Sequence, residues 1–290
     1  MPRTVNEGFN DFLSKLRATA AESDAAKSHR ASIKRCLENN FGLDDYFRAG
    51  SFGNGTNISG YSDVDYIARI PTKSLKQDSD KTLRGVRDAL DYTFPGTGVR
   101  VDCPAVLVPF GKYASEKTEV IPADYVKIQN GYKVYDIADG DGGWMKTSPG
   151  AHNAYVREID DKHGGKVKPL IRFVKAWKYY RNVEISSFYL EMRVAQYAND
   201  EEAIVYSHDV RTVLKYLDSI GLAAMQDPLG IAGYIQPCST TIKLEDSKSK
   251  LSTALTRANN AIDAEQAGRI SDAFDYWRLL YNDMFPTYYR

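Results

Sequence analysis

Apolar positions recur at helical spacing over residues 4–40, with Phe9, Phe12, Leu13 and Leu16 on one face. They predict an amphipathic helix bracing the outside of the first lobe, with a break or restart at Ser23 and Asp24. The pattern then shortens. Asp44–Ala49 is aromatic, is bounded by Gly50 and reads as a strand. In Ser62–Ile70 the alternation is visible: Asp63, Asp65 and Ile67 fall on one face, Val64, Tyr66 and Ala68 on the other, and Pro71 ends the strand. Residues 78–94 predict a helix through Leu83, Val86, Leu90 and Phe94. Val99–Pro109 is apolar on both faces, which predicts one buried central strand. Residues 119–127 and 132–137 read as strands joined by the hairpin turn Asn130-Gly131.

After the loop Gly140–Gly143 the periodicity is helical almost throughout, with segments at 151–163, 167–181, 186–199, 207–223, 246–267 and 269–284. Gly164-Gly165 and the stretch between Pro228 and Pro237 punctuate them. The expected architecture is α+β and bilobal. Residues 1–145 supply the N-terminal helix and an α/β lobe, and 146–290 a helical lobe. A ligand is expected in the cleft between the two.

Composition narrows the function. The 38 basic and 38 acidic residues of the 290-residue chain cancel, which argues against constitutive binding to DNA or RNA and leaves a small nucleotide open. Cys36, Cys103 and Cys238 are far apart and lack Cys-x-x-Cys spacing, so neither a disulfide framework nor a structural zinc site is expected. The first residues lack the apolar core of a signal peptide, and no run is long enough for a membrane span. A cytoplasmic protein is the expectation.

The candidate chemistry lies in Gly50–Asp65, GSFGNGTNISGYSDVD. Gly50 permits a tight turn, and the Ser51 hydroxyl and N–H can meet a phosphate. Asp63 and Asp65, two residues apart on a strand, point the same way roughly 6.6 Å apart at the backbone. Carboxylates so placed can converge on two cations about 3.5–4 Å apart, the arrangement for in-line phosphoryl chemistry. Two solvated acids at a strand end are the plainer explanation. Asp102, in a strand read as apolar on both faces, needs a partner to offset its burial. A metal ion would serve, and so would Arg100. The stretch contains no Gly-Lys-Ser/Thr, and the protein-kinase motif set is missing from the chain.

Gly-Ser, Asp-x-Asp and a distal Asp on a later strand resemble the signature of the DNA polymerase β-like nucleotidyltransferase superfamily. Lys168–Ala195, KPLIRFVKAWKYYRNVEISSFYLEMRVA, is similar to the bacterial cyclic GMP-AMP synthase-like nucleotidyltransferases of anti-phage signalling, the CD-NTase family. The resemblance spans roughly residues 44–200. It implies a phosphate-gripping turn at Gly50 and Ser51 and a metal-binding triad of Asp63, Asp65 and Asp102. Asp102 would also help deprotonate the attacking ribose hydroxyl. It further implies a grip on the donor triphosphate by Lys175 and Ser187, and base stacking on Phe188. Considered as residues alone, Lys175 is a snorkelling surface lysine, and Ser186 and Ser187 cap a helix. Phe188 is then core, while His152 and Asn153 either cap a helix or read a base edge.

The function implied is synthesis of a cyclic di- or trinucleotide from NTPs with two Mg²⁺ ions, Mn²⁺ being able to substitute. The product would act on a downstream effector. Alternatives are transfer to a tRNA, protein or small-molecule acceptor, and a catalytically inactive nucleotide-binding scaffold. Some members of the family answer to an activator, or to a ubiquitin-like conjugation system acting on a C-terminal Gly or Ala; this chain ends PTYYR and departs from that pattern.

Overall fold

The computed structural model describes residues 2–17, 29–61, 63–111 and 116–289. Contacts divide the chain into two units. One comprises residues 18–154 and 229–233; the other comprises 1–17, 155–228 and 234–290.

The first unit is a sheet with helices on one face. Its strands are β1 (Asp45–Arg48), β2 (Val64–Arg69), β3 (Arg100–Asp102), β4 (Ala105–Phe110), β5 (Glu116–Gln129), β6 (Tyr132–Ala138) and β7 (Trp144–Thr147). The order is β1-β2-β5-β4-β3, with β6 on the far half of β5 and β7 on β6. Among the described residues only β2 and β5 pair in parallel; the other pairs are antiparallel. Side chains alternate across the pleat. Tyr46, Val64, Tyr66, Ala68, Val106, Val108 and Val120 therefore share one face. That face packs on α2 (Arg30–Phe41), through Ile33, Cys36 and Leu37, and on α4 (Ser79–Thr93), through Leu83, Val86 and Leu90. Asp78 caps α4 by accepting the Lys81 N–H at 3.2 Å. Gly42 ends α2 in the left-handed conformation.

The strand alternation, the 130–131 hairpin and the α4 pattern match the sequence expectations. One strand does not. Residues 99–109 form two strands, β3 and β4, turned back on each other at Cys103-Pro104, so that Asp102 faces Ala105. Proline cannot donate to a ladder and suits such a turn. β4 is buried along its length, whereas β3 is an exposed edge strand. The expected helix over 4–40 is two helices, α1 (Val5–Leu16) and α2; the break at Ser23 and Asp24 lies outside the described residues. β7 follows the Gly140–Gly143 loop and was not anticipated.

The second unit is helical: α6 (Val167–Tyr180), α7 (Ser187–Asn199), α8 (Tyr206–Ser219), α9 (Thr241–Gln266) and α10 (Ile270–Leu280). Most of α5 (Pro149–Lys162) and all of α1 belong to it. All six expected helices of the second half are present. The expected boundary at 145/146 differs in that α1 groups with the helical unit and the α/β unit extends to Ala154. The reason is aromatic. Phe9 meets Phe173 and Trp277 edge-on at 5.0 Å each, and Phe12 meets Tyr281 at 4.6 Å; such pairs add to the area they bury. Gly8 brings the helix close, since a Cβ there would sit 2.9 Å from the Phe274 ring. Among the described residues no helix is long and apolar enough to cross a membrane.

Phe9 is fully buried, so Phe9→Ala is expected to cost about 3–5 kcal/mol, read by denaturant unfolding. Hydrogen exchange should show protection lost first in α6 and α10. Loss beginning in β2 and β5 would contradict the assignment of α1 to the helical unit.

Candidate active site

The strand–turn–strand of β1 and β2 builds the first half of the site. The Ala49 N–H donates to the Asp65 carbonyl at 2.9 Å as the chain leaves β1. Gly50 then takes φ +54° and opens the one-turn helix α3 (Gly50–Asn54), which Gly55 ends in the left-handed conformation. Gly50 is required twice over. Its φ is one that side chains rarely adopt, and a Cβ there would lie 1.7 Å from Asp65 Oδ2. The Asp65 carboxylate thus rests against bare backbone. The first ladder bond of α3 runs from the Gly53 N–H to the Ala49 carbonyl. The amides of Gly50, Ser51 and Phe52 therefore precede the ladder, as at any helix start. The Asn153 amide lies beside α3, 3.4 Å from where a Gly53 Cβ would stand.

Register supplies the second half. Asp65 of β2 lies opposite Glu119 of β5, Glu119 opposite Leu107 of β4, and Leu107 opposite Arg100 of β3. Directly opposed residues share a face, so these four form one row on the side of the sheet away from α2 and α4. Lys117, two residues before Glu119, reaches Asp63 at 3.7 Å. Burial raises the Glu119 carboxyl from 4.5 to about 9, and the charges of Asp65, Asp63 and Asp102 push the same way. Held protonated, Glu119 donates a hydrogen bond to Asp65. Burial also raises Asp63, opposed by Lys117 and reinforced by Asp102.

Asp102 is not buried as expected. It is exposed on the edge strand β3, two strands from β5, because the turn at Pro104 takes it out of the central strand. Its charge still reaches Asp63 and Glu119. The acid on the central strand is Glu119, which sequence reasoning missed. A signal existed in Lys-Thr-Glu-Val at 117–120. Thr118 and Val120 are buried, so the acid alternates onto the face that carries Asp63 and Asp65. Among the described residues no three His, Cys, Asp or Glu side chains stand ready-made as a ligand set. The donor chemistry of Asp63, Asp65 and Glu119, hard carboxylate oxygens held side by side, fits a divalent cation such as Mg²⁺.

The residues expected in the helical half separate into two groups. Lys175 is fully buried and donates to Glu191 at 2.7 Å; it is neither at the surface nor beside Ser187. The cation beside Ser187 is Lys178, one turn further along α6, whose Nζ donates to Ser187 Oγ at 2.7 Å. The Tyr179 hydroxyl lies 3.1 Å from the same oxygen. Ser186 is the N-cap of α7, accepting the Tyr189 N–H at 3.3 Å. Phe188 is half-buried and His152 buried. A pocket of about 510 Å³ adjoins the start of α7, lined by Lys178, Ile185, Ser186, Gln236, Cys238 and Ser239 among others. Helix N-termini favour anions.

Comparison with known proteins places this geometry. Residues 3–160 match the family described as Second Messenger Oligonucleotide or Dinucleotide Synthetase domain. A probable cyclic nucleotide synthase of Bacillus cereus (strain VD146) is 30% identical over 176 residues, 59% of this chain. The match spans about half of that relative, 52% of its length. A cyclic AMP-AMP-AMP synthase of an Acinetobacter strain is 25% identical over 98% of this chain and 86% of its own. The fold is shared with Vibrio cholerae DncV, a cyclic AMP-GMP synthase solved with a linear intermediate. Its TM-score is 0.76 at 14% identity, covering 99% of this chain and 97% of that one.

Two measurements check the acid row. The Glu119 carboxyl is raised in the fold above its value in the unfolded chain, so the stability tied to it is full below about pH 4.5 and falls as pH rises toward about 9. Glu119→Gln should therefore raise the melting temperature of metal-free protein more at about pH 8 than at about pH 5. An equal effect at both would contradict the shift. Gly50→Ala should displace Asp65 and cost more than 1 kcal/mol, about what strain at positive φ alone costs, as read by thermal unfolding.

Proposed function

The chain belongs to the Second Messenger Oligonucleotide or Dinucleotide Synthetase family, and on that premise we propose that it is a nucleotidyltransferase joining nucleoside triphosphates into a cyclic oligonucleotide. The observation that carries the reading is the opposition of Asp65 and Glu119 on one sheet face, with Asp63 hydrogen-bonded to Glu119, beside the Gly50 turn. Burial first, and then the neighbouring carboxylates, push the Glu119 carboxyl well up, a cost that a shared cation would offset.

In this reading Asp63, Asp65 and Glu119 hold divalent metal, two Mg²⁺ ions in the full site. Bound there, the metal would neutralise the donor triphosphate and lower the pKa of the attacking ribose hydroxyl. Glu119 would serve as a ligand in its deprotonated form, and Asp63 in place of its contact with Lys117. The Gly50 and Ser51 amides face the phosphates from the start of α3. Lys178 and Ser187 grip phosphate at the start of α7, in place of the buried Lys175, and Phe188 offers a ring to a base. Asp102, exposed on the same face, adds negative field. The acceptor hydroxyl attacks the α-phosphorus in line, pyrophosphate leaves, and a second transfer closes the ring. Catalysis is positioning and charge stabilisation, with no covalent bond to the protein. The relatives named as cyclic nucleotide synthases support a cyclic nucleotide product, and the family description supports a second-messenger role for it. In this reading the product is made in the cytoplasm during anti-phage defence and read by an effector protein.

Labelled NTPs incubated with the protein and Mg²⁺ or Mn²⁺ should give a phosphatase-resistant product; none under any condition, with phage-derived or host activators included, would sink the reading. Asp63→Asn with Asp65→Asn should abolish product while leaving the fold intact by circular dichroism. Glu119→Gln should also abolish it, and Asp102→Asn only reduce it. The reverse order would return the third metal position to Asp102. Lys178→Ala is expected to raise KM for NTP about tenfold, the worth of one charge-assisted hydrogen bond.

A further inference from the structure

Two lysine contacts tie α6 to α7, one helical turn apart on each helix, the outer one joined by the Tyr179 hydroxyl at Ser187. Lys175 Nζ donates to Glu191 Oε1 at 2.7 Å in the interior, and Lys178 Nζ donates to Ser187 Oγ at 2.7 Å nearer the surface. Residues three or four apart stack on one helix face. Lys175–Glu191 and Lys178–Ser187 therefore form the two rungs of an antiparallel ladder. The outer rung lies at the first turn of α7, where Lys178 also lines the pocket. Neither Lys175 nor Glu191 lines it.

The inner rung is a poor stabiliser. Well-packed apolar residues often replace a buried ion pair at no cost, and removing one partner is what destabilises. Its distinctive property is geometric. An ammonium in the interior must meet its carboxylate at hydrogen-bond distance, whereas apolar side chains between two helices can repack. Ile171 and Val174 of α6 and Leu190 and Val194 of α7 are fully buried, as is Lys175, whereas Lys178, Tyr179 and Ser187 are only partly buried. The ion pair is therefore the polar contact between these helices whose lysine lies wholly in the interior, and a slide of α6 along α7 that broke it would leave a buried charge unpaired.

We infer that Lys175 and Glu191 are positioning residues: they set the register of α6 against α7 so that Lys178 meets Ser187 at the start of α7, poised for nucleotide phosphate. This rests on the reading of Lys178 and Ser187 as a phosphate grip. Arg172, one turn before Lys175, also senses the Glu191 charge, so the test keeps an amide at position 191.

The double variant Lys175→Met, Glu191→Gln is expected to unfold at or above the wild-type temperature while NTP affinity drops about tenfold and KM rises with kcat little changed. Adding Lys178→Ala to it should lower affinity little further, because both changes disable one grip. A purely structural pair would give additive losses, and that result, or unchanged affinity, overturns the inference. A crystal structure of the double variant should show Lys178 withdrawn from Ser187; a contact retained at 2.7 Å overturns it too. If the double variant fails to fold, Lys175→Arg, which keeps the charge at a different reach, is put through the same measurements. If Lys178→Ala alone leaves NTP affinity unchanged, the phosphate grip falls, and the crystallographic contact by itself decides the ladder.

Discussion

The parallel pairing of β2 with β5 is the contact on which the α/β unit depends. Among the described residues it is the only parallel pair in a sheet otherwise antiparallel, and it sets Asp65 directly against Glu119. Everything near it follows from accommodating that opposition. Lys117 comes to Asp63, Glu119 keeps its proton, and position 50 must be glycine because the Asp65 carboxylate occupies the space a Cβ would need. A sheet could hold two carboxyls in this way only with a strong core behind it. The opposite face supplies one, in the buried aliphatic and aromatic side chains that meet α2 and α4.

The helical unit solves a different problem. Its core is aromatic, with α1 inserting Phe9 and Phe12 among Phe173, Trp277, Tyr281 and Phe285. Rings of this size bury a large apolar area and meet mostly edge-on. Directional contacts then settle which packing is adopted: Lys175 with Glu191 between α6 and α7, and Arg193 with the Ala223 carbonyl at 2.8 Å, which ties the segment after α8 back to α7.

Much of this could be read along the chain. The alternation of residues 63–68 is the alternation of β2, Asn130-Gly131 is the turn between β5 and β6, and all six helices of the second half announce themselves by their period. The misreadings share one origin. Residues 99–109 look like one buried strand because apolar content does not reveal a reversal at a single proline, so Asp102 was placed in a core it does not enter. Lys175 and Lys178 sit one turn apart on the same helix, and nothing local distinguishes the interior lysine from the one beside Ser187. For Glu119 the local alternation at 117–120 gives a face but no partner, and the acid becomes notable once Asp65 stands across the ladder from it.

The sequence by itself determined the elements, the two-part α+β organisation and the kind of chemistry, through the Gly-Ser turn and the Asp-x-Asp pair. These are properties of adjacent residues: backbone period, turn propensity and side chains two positions apart on one strand. The tertiary structure alone decided which third carboxyl joins them, which lysine meets Ser187, and to which unit α1 belongs. Those outcomes depend on register between segments distant in the chain. Register is settled by how whole faces pack and how buried charges find partners, a sum over contacts that no short stretch of residues contains.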